Sequence, residues 1–174
     1  MIRQIHLGLL FLSFLIPVVA QGDNELERLD EKVIRHLEAK LPGWQHRRVN
    51  AIEGSKSTII NHWQTSTRVV TVSIVRYDSA NQAKETMQPF IKYYRQKEEL
   101  KGLGDEAYAW GYGLSKIMFR RGRFIVSLEA YADVGADPDG RTLTPEQKSD
   151  RERSEMKRLT EEFAKHAAKA IDAP

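Results

Sequence analysis

A hairpin pattern in residues 117–131 is the feature that most constrains the fold of this chain. The short run Ile117-Met118-Phe119 is followed by the dipeptide Arg121-Gly122, which suits a two-residue turn, and then by a longer apolar-rich run, residues 124–131. In this second run alternate residues are apolar and fall on one face, namely Phe124, Val126, Leu128 and Ala130. A period of two predicts antiparallel strands with one buried face.

Three further strands are predicted upstream, at residues 44–52, 58–64 and 68–77. In the third of these strands, Val70, Val72 and Ile74 point to one side and are expected to lie in the core. The other side mixes apolar and hydroxyl residues. That face of the sheet is therefore expected either to be solvated or to line a shallow pocket.

Helical periodicity and capping residues place three helices around these strands. The first spans residues 24–41 and stops at Pro42-Gly43. The second begins at Ser79 and ends near Leu100, and at Pro89 we expect either a kink or a division into two helical pieces. Capping boxes are predicted at the start of the second helix, Ser79-Ala80-Asn81-Gln82, and of the third, Thr144-Pro145-Glu146-Gln147. The predicted packing stripe of the third helix consists of Met156, Leu159, Phe163, Ala167 and Ala170. The pattern predicts an α+β domain in the order α-βββ-α-βββ-α, with an antiparallel sheet of about five or six strands packed against the helices.

The start of the chain resembles a secretory signal peptide. Arg3 precedes an apolar run, residues 7–19, and the small residues Val18-Val19-Ala20 suit cleavage before Gln21. This run is short for a membrane span, which needs about 20 apolar residues. We therefore expect residues 1–20 to be a signal peptide, residues 21–174 to form one domain, and the protein to be periplasmic or secreted. The alternative is an uncleaved N-terminal anchor.

Composition narrows the classes of function. The chain has no cysteine, which excludes disulfides, thiol chemistry and lipidation through cysteine. Removal of residues 1–20 takes away one cation, Arg3, and no acid, so the net charge falls from +3 to +2. This near balance, together with export, argues against a nucleic-acid partner.

The stretch Gly102-Leu103-Gly104-Asp105-Glu106-Ala107-Tyr108-Ala109-Trp110 combines glycine, acid and aromatic residues just before the hairpin. The glycines suit a bend, and the alternation after them predicts a strand that carries Tyr108, Trp110 and Tyr112 on one side. The stretch is either an aromatic rim with an acidic pair or simply a turn followed by a strand. We expect Tyr108 to be buried and Trp110 to be partly exposed.

This stretch carries a resemblance. Gly-Leu-Gly-Asp-Glu-Ala-Tyr, followed by a strand and by Phe119-Arg120-Arg121-Gly122-Arg123-Phe124-Ile125-Val126, resembles a pattern in bacterial exported domains and lipoproteins of unknown function. The resemblance covers residues 102–131 and implies an antiparallel sheet backed by helices. It supplies no catalytic residue, and this chain departs from the lipoproteins because it has no cysteine.

Recognisable catalytic and metal-binding patterns are scarce. The histidines lack metal-ligand spacing, although His46 and His62 fall on neighbouring predicted strands and could meet. Residues 135–146 approach the calcium-loop pattern, with Asp133, Asp137 and Asp139 as possible ligands, but Gly135 stands where the first aspartate is needed. A solvated turn is the alternative. Neither a metal nor a cofactor is predicted.

These observations predict a non-enzymatic envelope module that binds a small ligand or a protein partner. The alternative is a hydrolase that uses Asp105, Glu106 or Glu129, of which Asp105 and Glu129 could meet in the fold. The predicted ligand-binding residues are Asp105, Glu106, Trp110, Tyr112, Glu129 and Tyr131.

Overall fold

A computed structural model describes residues 21–49, 57–135 and 142–173 of the chain. The three helices are Gln21–Lys40 (α1), Ala80–Tyr93 (α2) and Pro145–Asp172 (α3). The seven strands are Gln45–Val49 (β1), Thr58–Gln64 (β2), Arg68–Arg76 (β3), Lys97–Glu99 (β4), Glu106–Trp110 (β5), Lys116–Arg121 (β6) and Phe124–Ala132 (β7). All seven form one antiparallel sheet in the order β1-β2-β3-β7-β6-β5-β4.

The α+β class and the antiparallel sheet are confirmed, but the predicted strand count and element order are wrong. The sheet has seven strands, and the order is α-βββ-α-ββββ-α. The additional strand is β4, which was predicted as the end of a helix running to residue 100. Its three residues are charged and exposed, so no apolar alternation marks them, and the strand is defined only by its pairing with β5. Pro89 stays inside α2, which ends at Tyr93.

The main core lies between one face of the sheet and helices α1 and α3. At its centre β3 pairs with β7, and the fully buried Val70, Val72 and Ile74 confirm the predicted core face. The predicted stripe of α3 is also confirmed, because all of its members are buried: Met156, Leu159, Phe163, Ala167 and Ala170.

Helix α2 packs on the opposite face of the sheet and covers only part of it. Ala83 and Met87 of α2 form a second, smaller cluster with Ile125 of β7. Farther toward β1, the side chains of Val69, Thr71 and Ser73 on this face are only half-buried. The open part of the face is therefore a partly solvated surface of mixed polarity.

Side-chain caps begin the two later helices as predicted. Thr144 accepts a hydrogen bond from the Gln147 amide at 3.2 Å, and the Gln147 side chain accepts one from the Thr144 amide at 3.0 Å, which completes a capping box. At α2, Ser79 accepts a hydrogen bond from the Gln82 amide, but the Gln82 side chain bonds the amide of Asp78 rather than that of Ser79. This second cap is therefore half of the predicted box.

The β6–β7 turn lies one residue later than predicted. Arg121 pairs with Phe124, so the two turn residues are Gly122-Arg123 rather than Arg121-Gly122. Gly122 has φ +55°, and glycine adopts this left-handed value without the steric cost that other residues meet.

The predicted glycine bend precedes β5. Gly102 and Gly104 have φ values of +79° and +62°. Gly104 also lies against β6, because a Cβ atom built there would be 2.3 Å from the Arg120 carbonyl oxygen. The next amide, that of Asp105, donates to the same oxygen at 2.7 Å. The absence of a side chain at residue 104 thus lets the chain reach β6 and begin β5.

Alanine substitution of the two glycines should separate backbone strain from close packing. Gly102→Ala has open space around the new methyl group, so only the left-handed φ should cost stability, about 1–2 kcal/mol. Gly104→Ala must in addition displace the Arg120 carbonyl, so we expect a total loss of about 2–4 kcal/mol. Urea unfolding measures both losses, and equal losses would contradict the packing role of Gly104.

Candidate functional site

The six residues predicted to bind a ligand do not form one site. Asp105 and Glu106 contact Arg120 at the start of β5, and Trp110 lies beside α2. Tyr112 lies in a short turn against α3. Glu129 and Tyr131 are exposed residues of β7. Only Asp105 and Glu106 therefore share a set of contacts.

The first candidate is the Arg120 cluster, which consists of Asp105, Glu106, Arg120, Arg121 and Gly122. Glu106 lies directly across the strand pair from Arg120 and accepts a hydrogen bond from its Nε atom at 2.7 Å. Asp105 accepts hydrogen bonds from Arg120 Nη1 and from the Gly122 amide, both at 2.8 Å, and from Arg121 Nη1 at 3.2 Å. The two acids tie the start of β5 to the β6–β7 turn.

The electrostatics of the Arg120 cluster favour a structural role. Burial raises the pKa of Asp105, but the Gly122 amide and the positive charges of Arg120 and Arg121 outweigh it, so the net pKa lies below its usual value. A general acid at neutral pH needs the opposite shift. Both oxygens of Asp105 already accept hydrogen bonds, so the carboxylate is committed to holding the turn.

The remaining polar residues of the predicted site have separate contacts. Glu129 lies across from Lys116 and pairs with it at 2.9 Å. Along β6, Lys116 is four residues from Arg120, which places Glu129 roughly 13 Å from the Arg120 cluster. The possible meeting of Asp105 with Glu129 is thus not found. Tyr112 contacts Ser149 through its hydroxyl group. The Cζ atom of Arg153 lies over the Tyr112 ring, 5.4 Å from the ring centroid.

The second candidate is the α2 cleft, a narrow apolar groove between the second half of α2 and strands β4 to β6. Its lining residues are Met87, Phe90, Ile91, Tyr94, Lys97, Tyr108, Trp110 and Met118. Strand register explains the assembly, because Tyr108 lies opposite Met118 and Trp110 lies opposite Lys97, and opposed residues point to the same face. The alternation of β5 therefore delivers both aromatic residues to α2.

The α2 cleft is nearly closed. Tyr94, at the end of α2, stacks on Trp110 with ring centroids 5.2 Å apart and planes inclined by 30°. The cavity volume is about 10 Å³, close to the space that one water molecule needs. Met87 and Met118 also line it, and the flexible thioether chain of methionine adapts readily to a changed neighbour.

The expected burial of the two aromatic residues of β5 is wrong. Trp110 is only 9% exposed, whereas Tyr108 is half-buried. Tyr94 covers Trp110, and this cover comes from a helix end that the sequence pattern did not place there. Burial raises the pKa of the Tyr108 hydroxyl, with smaller contributions from Glu99 and Glu106. Nε1 of Trp110 is buried and has no hydrogen-bond partner among the described residues.

Two strongly exposed aromatic residues lie beside the α2 cleft. Phe90 and Tyr93 are 49% and 80% exposed, and they are neighbours on α2 because they are three residues apart. The predicted site missed both. A signal was present, because residues 86–97 hold three aromatic residues and three cations but no acid. We call this segment the basic aromatic segment.

A buried polar network joins α1 to the β1 edge of the sheet. Asp30 is fully buried, is paired with Arg48, and accepts a hydrogen bond from the Asn61 side chain at 2.6 Å. Asn61 in turn bonds His46 at 2.8 Å. The hydrogen bond to Asp30 is the largest contribution that raises the pKa of Arg48, so the guanidinium stays charged. The network was not predicted, since neither spacing nor periodicity marks Asp30.

Neither metal hypothesis gains support from the described residues. His46 lies opposite Trp63, whereas His62 lies opposite Arg47, so the two imidazoles point to opposite faces of the sheet. Of the possible calcium ligands, Asp137 and Asp139 lie outside the described residues, and Asp133 pairs with Lys148 at 2.9 Å. Among residues 21–49, 57–135 and 142–173, no three or more acidic or histidine side chains are grouped to hold a metal ion.

Comparisons of the chain with protein-family models, with curated proteins and with solved structures gave no match. In the part of the chain that the structure describes, no helix is both long and apolar enough to cross a bilayer. A functional site is therefore inferred from the geometry of the described residues themselves.

Alanine substitutions at Trp110 and Tyr93 should distinguish a structural aromatic residue from a surface one. Trp110→Ala removes a buried indole and its stack with Tyr94, so we expect a loss of about 3 kcal/mol in the free energy of unfolding. Tyr93→Ala changes a mostly exposed side chain and should stay within about 0.5 kcal/mol of the parent protein. Urea unfolding measures both values. Equal losses in the free energy of unfolding would show that Trp110 does not contribute to stability through packing in the α2 cleft.

Proposed function

We propose that this protein is a non-enzymatic envelope module that binds a larger partner through an aromatic surface. This surface comprises the exposed Phe90 and Tyr93 and the adjacent rim of the α2 cleft, formed by Tyr94 and Lys97. The observation that carries the proposal is the exposure of two neighbouring aromatic side chains on one helix end. Aromatic residues dominate the energetics of protein contact surfaces.

The volume of the α2 cleft favours a surface partner over a small ligand. Sites for small molecules usually enclose about 300–1,000 Å³. The α2 cleft holds about 10 Å³, so an enclosed ligand would first have to separate Tyr94 from Trp110. Phe90 and Tyr93 need no such rearrangement, because they already face solvent.

Binding is favoured over the alternative hydrolase. Asp105 and Glu106 are both hydrogen-bonded to Arg120, and Glu129 is paired with Lys116 on another part of the sheet. Acid–base hydrolysis needs two carboxyl groups that face one substrate, with at least one pKa raised. The lowered pKa of Asp105 has the wrong direction for a general acid.

An envelope location is part of the proposal. It rests on the signal-like residues 1–20 and on the resemblance of residues 102–131 to bacterial exported domains. In that location the aromatic surface would meet envelope proteins or the membrane itself.

Site-specific photo-crosslinking in living cells tests the proposed surface. A benzophenone amino acid is placed at residue 90 or 93 of the full-length protein, and in a separate strain at residue 131. We expect residues 90 and 93 to give crosslinked products, because they lie on the contact surface. Intact-protein mass spectrometry reads the adducts and separates protein adducts from lipid adducts.

Tyr131 is the matched control, because it is also a tyrosine and is 62% exposed, on the open part of the sheet face. Products from residue 131 with none from residues 90 and 93 would move the binding site to β7. Absence of products from all three positions would show that neither the aromatic surface nor the open part of the sheet face contacts a partner in the cell.

A further inference from the structure

We infer that the partner of the aromatic surface is an anionic lipid bilayer, which the protein contacts peripherally through the basic aromatic segment. The inference rests on the proposed function and names the class of partner. Its basis is the combination of exposed aromatic rings with cations that have no acidic partner in the described part of the chain. Bilayer interfaces attract this combination, because rings enter the boundary below the headgroups while cations stay at the phosphates.

The charges of the segment point to an anionic partner. Lys92, Arg95 and Lys97 are all exposed, and no acid lies between Glu85 and Glu98. Among the described residues, no ion pair joins Lys92 or Arg95 to an acid. Two cations are therefore available to an outside anion.

Neighbouring acids do not cancel this charge. Glu98 points to the opposite face of the sheet, where it lies 3.6 Å from Lys157 of α3. Glu99 lies opposite Tyr108 in the ladder, on the same face as Lys97 and two residues after it along β4. Glu85 precedes Phe90 by more than one helical turn. The positive charge is thus concentrated at the end of α2.

The aromatic residues have the geometry for shallow insertion. Phe90 and Tyr93 project from one side of the last helical turns, and the Tyr93 ring is supported edge-on by Tyr94 at 5.3 Å. Phe90 supplies an apolar ring, and Tyr93 supplies a ring whose hydroxyl can stay at the headgroups. Lys97 is anchored at the same helix end, because its ammonium donates to the Ile91 carbonyl.

The size of the segment favours a bilayer over a protein. A stable protein interface buries about 800 Å² on each partner, usually around a pocket that receives the partner's side chains. Here the adjacent α2 cleft is closed, and the exposed contact consists of a few side chains on a single helix end. Peripheral lipid binding can use such a small contact, because a few cations and rings are enough for reversible binding.

Vesicle co-sedimentation tests the inference with protein that is expressed from the full-length sequence and purified after export. The probes are vesicles of equal parts phosphatidylglycerol and phosphatidylcholine, and vesicles of phosphatidylcholine alone. We expect binding to the anionic vesicles, weakened by 0.5 M salt because salt screens exposed charges. Each surface cation contributes about fivefold to such binding, so Lys92→Gln with Arg95→Gln should weaken it about 25-fold.

The control is Lys165→Gln with Lys169→Gln, which removes the same charge from exposed positions of α3 on the opposite face of the sheet. This variant should bind within about twofold of the parent. Because every variant shares the same N-terminus, any contribution of residues 1–20 is common to all. Equal weakening by both double variants would overturn the inference, since the binding would then follow net charge alone.

A second pair of substitutions tests the rings. Phe90→Ser with Tyr93→Ser should weaken binding to anionic vesicles about tenfold or more, because the two rings that would insert into the bilayer are lost. Unchanged binding by this variant would also overturn the inference. If vesicles do not bind while residues 90 and 93 crosslink to a protein in cells, the partner is that protein, and only the lipid assignment fails. If both experiments are negative, the proposed function fails as well.

Discussion

The pairing of β3 with β7 is the interaction on which the rest of the fold depends. These two nine-residue strands match along their whole length and form the centre of the sheet. On one face their apolar residues build the core with α1 and α3, and on the other face Ile125 of β7 holds α2. Strands β6, β5 and β4 then add in sequence to the free side of β7. The α2 cleft is therefore connected to this central pair through β6 and through the contact of α2 with Ile125.

Local sequence chemistry predicted the elements that carry a periodic or capping signal. Val70, Val72 and Ile74 alternate with polar residues, and this alternation requires a buried face wherever the strand pairs. Thr144 begins α3 because threonine, proline and glutamine satisfy the first amides of a helix. Strand β4 could not be predicted, because a short charged edge strand depends on its neighbour and has no signal of its own.

The candidate site was only partly predictable, since its geometry comes from contacts between distant segments. The composition around Trp110 pointed to a special strand, but its cover, Tyr94, comes from another element. Asp105 and Glu106 looked like a free acidic pair because the sequence does not reveal that Arg120 lies across the ladder from them. The exposed aromatic residues of α2 were within reach of sequence reasoning, through the acid-free run of residues 86–97.

Hydrogen–deuterium exchange tests the central claim that the basic aromatic segment, residues 86–97, forms the contact surface. The measurement compares the purified protein with the same protein bound to vesicles of phosphatidylglycerol and phosphatidylcholine. We expect slower amide exchange within residues 86–99 on binding, with unchanged exchange in the Arg120 cluster and in β7. Protection of β7 or of the Arg120 cluster, without protection of residues 86–99, would contradict the proposed contact surface.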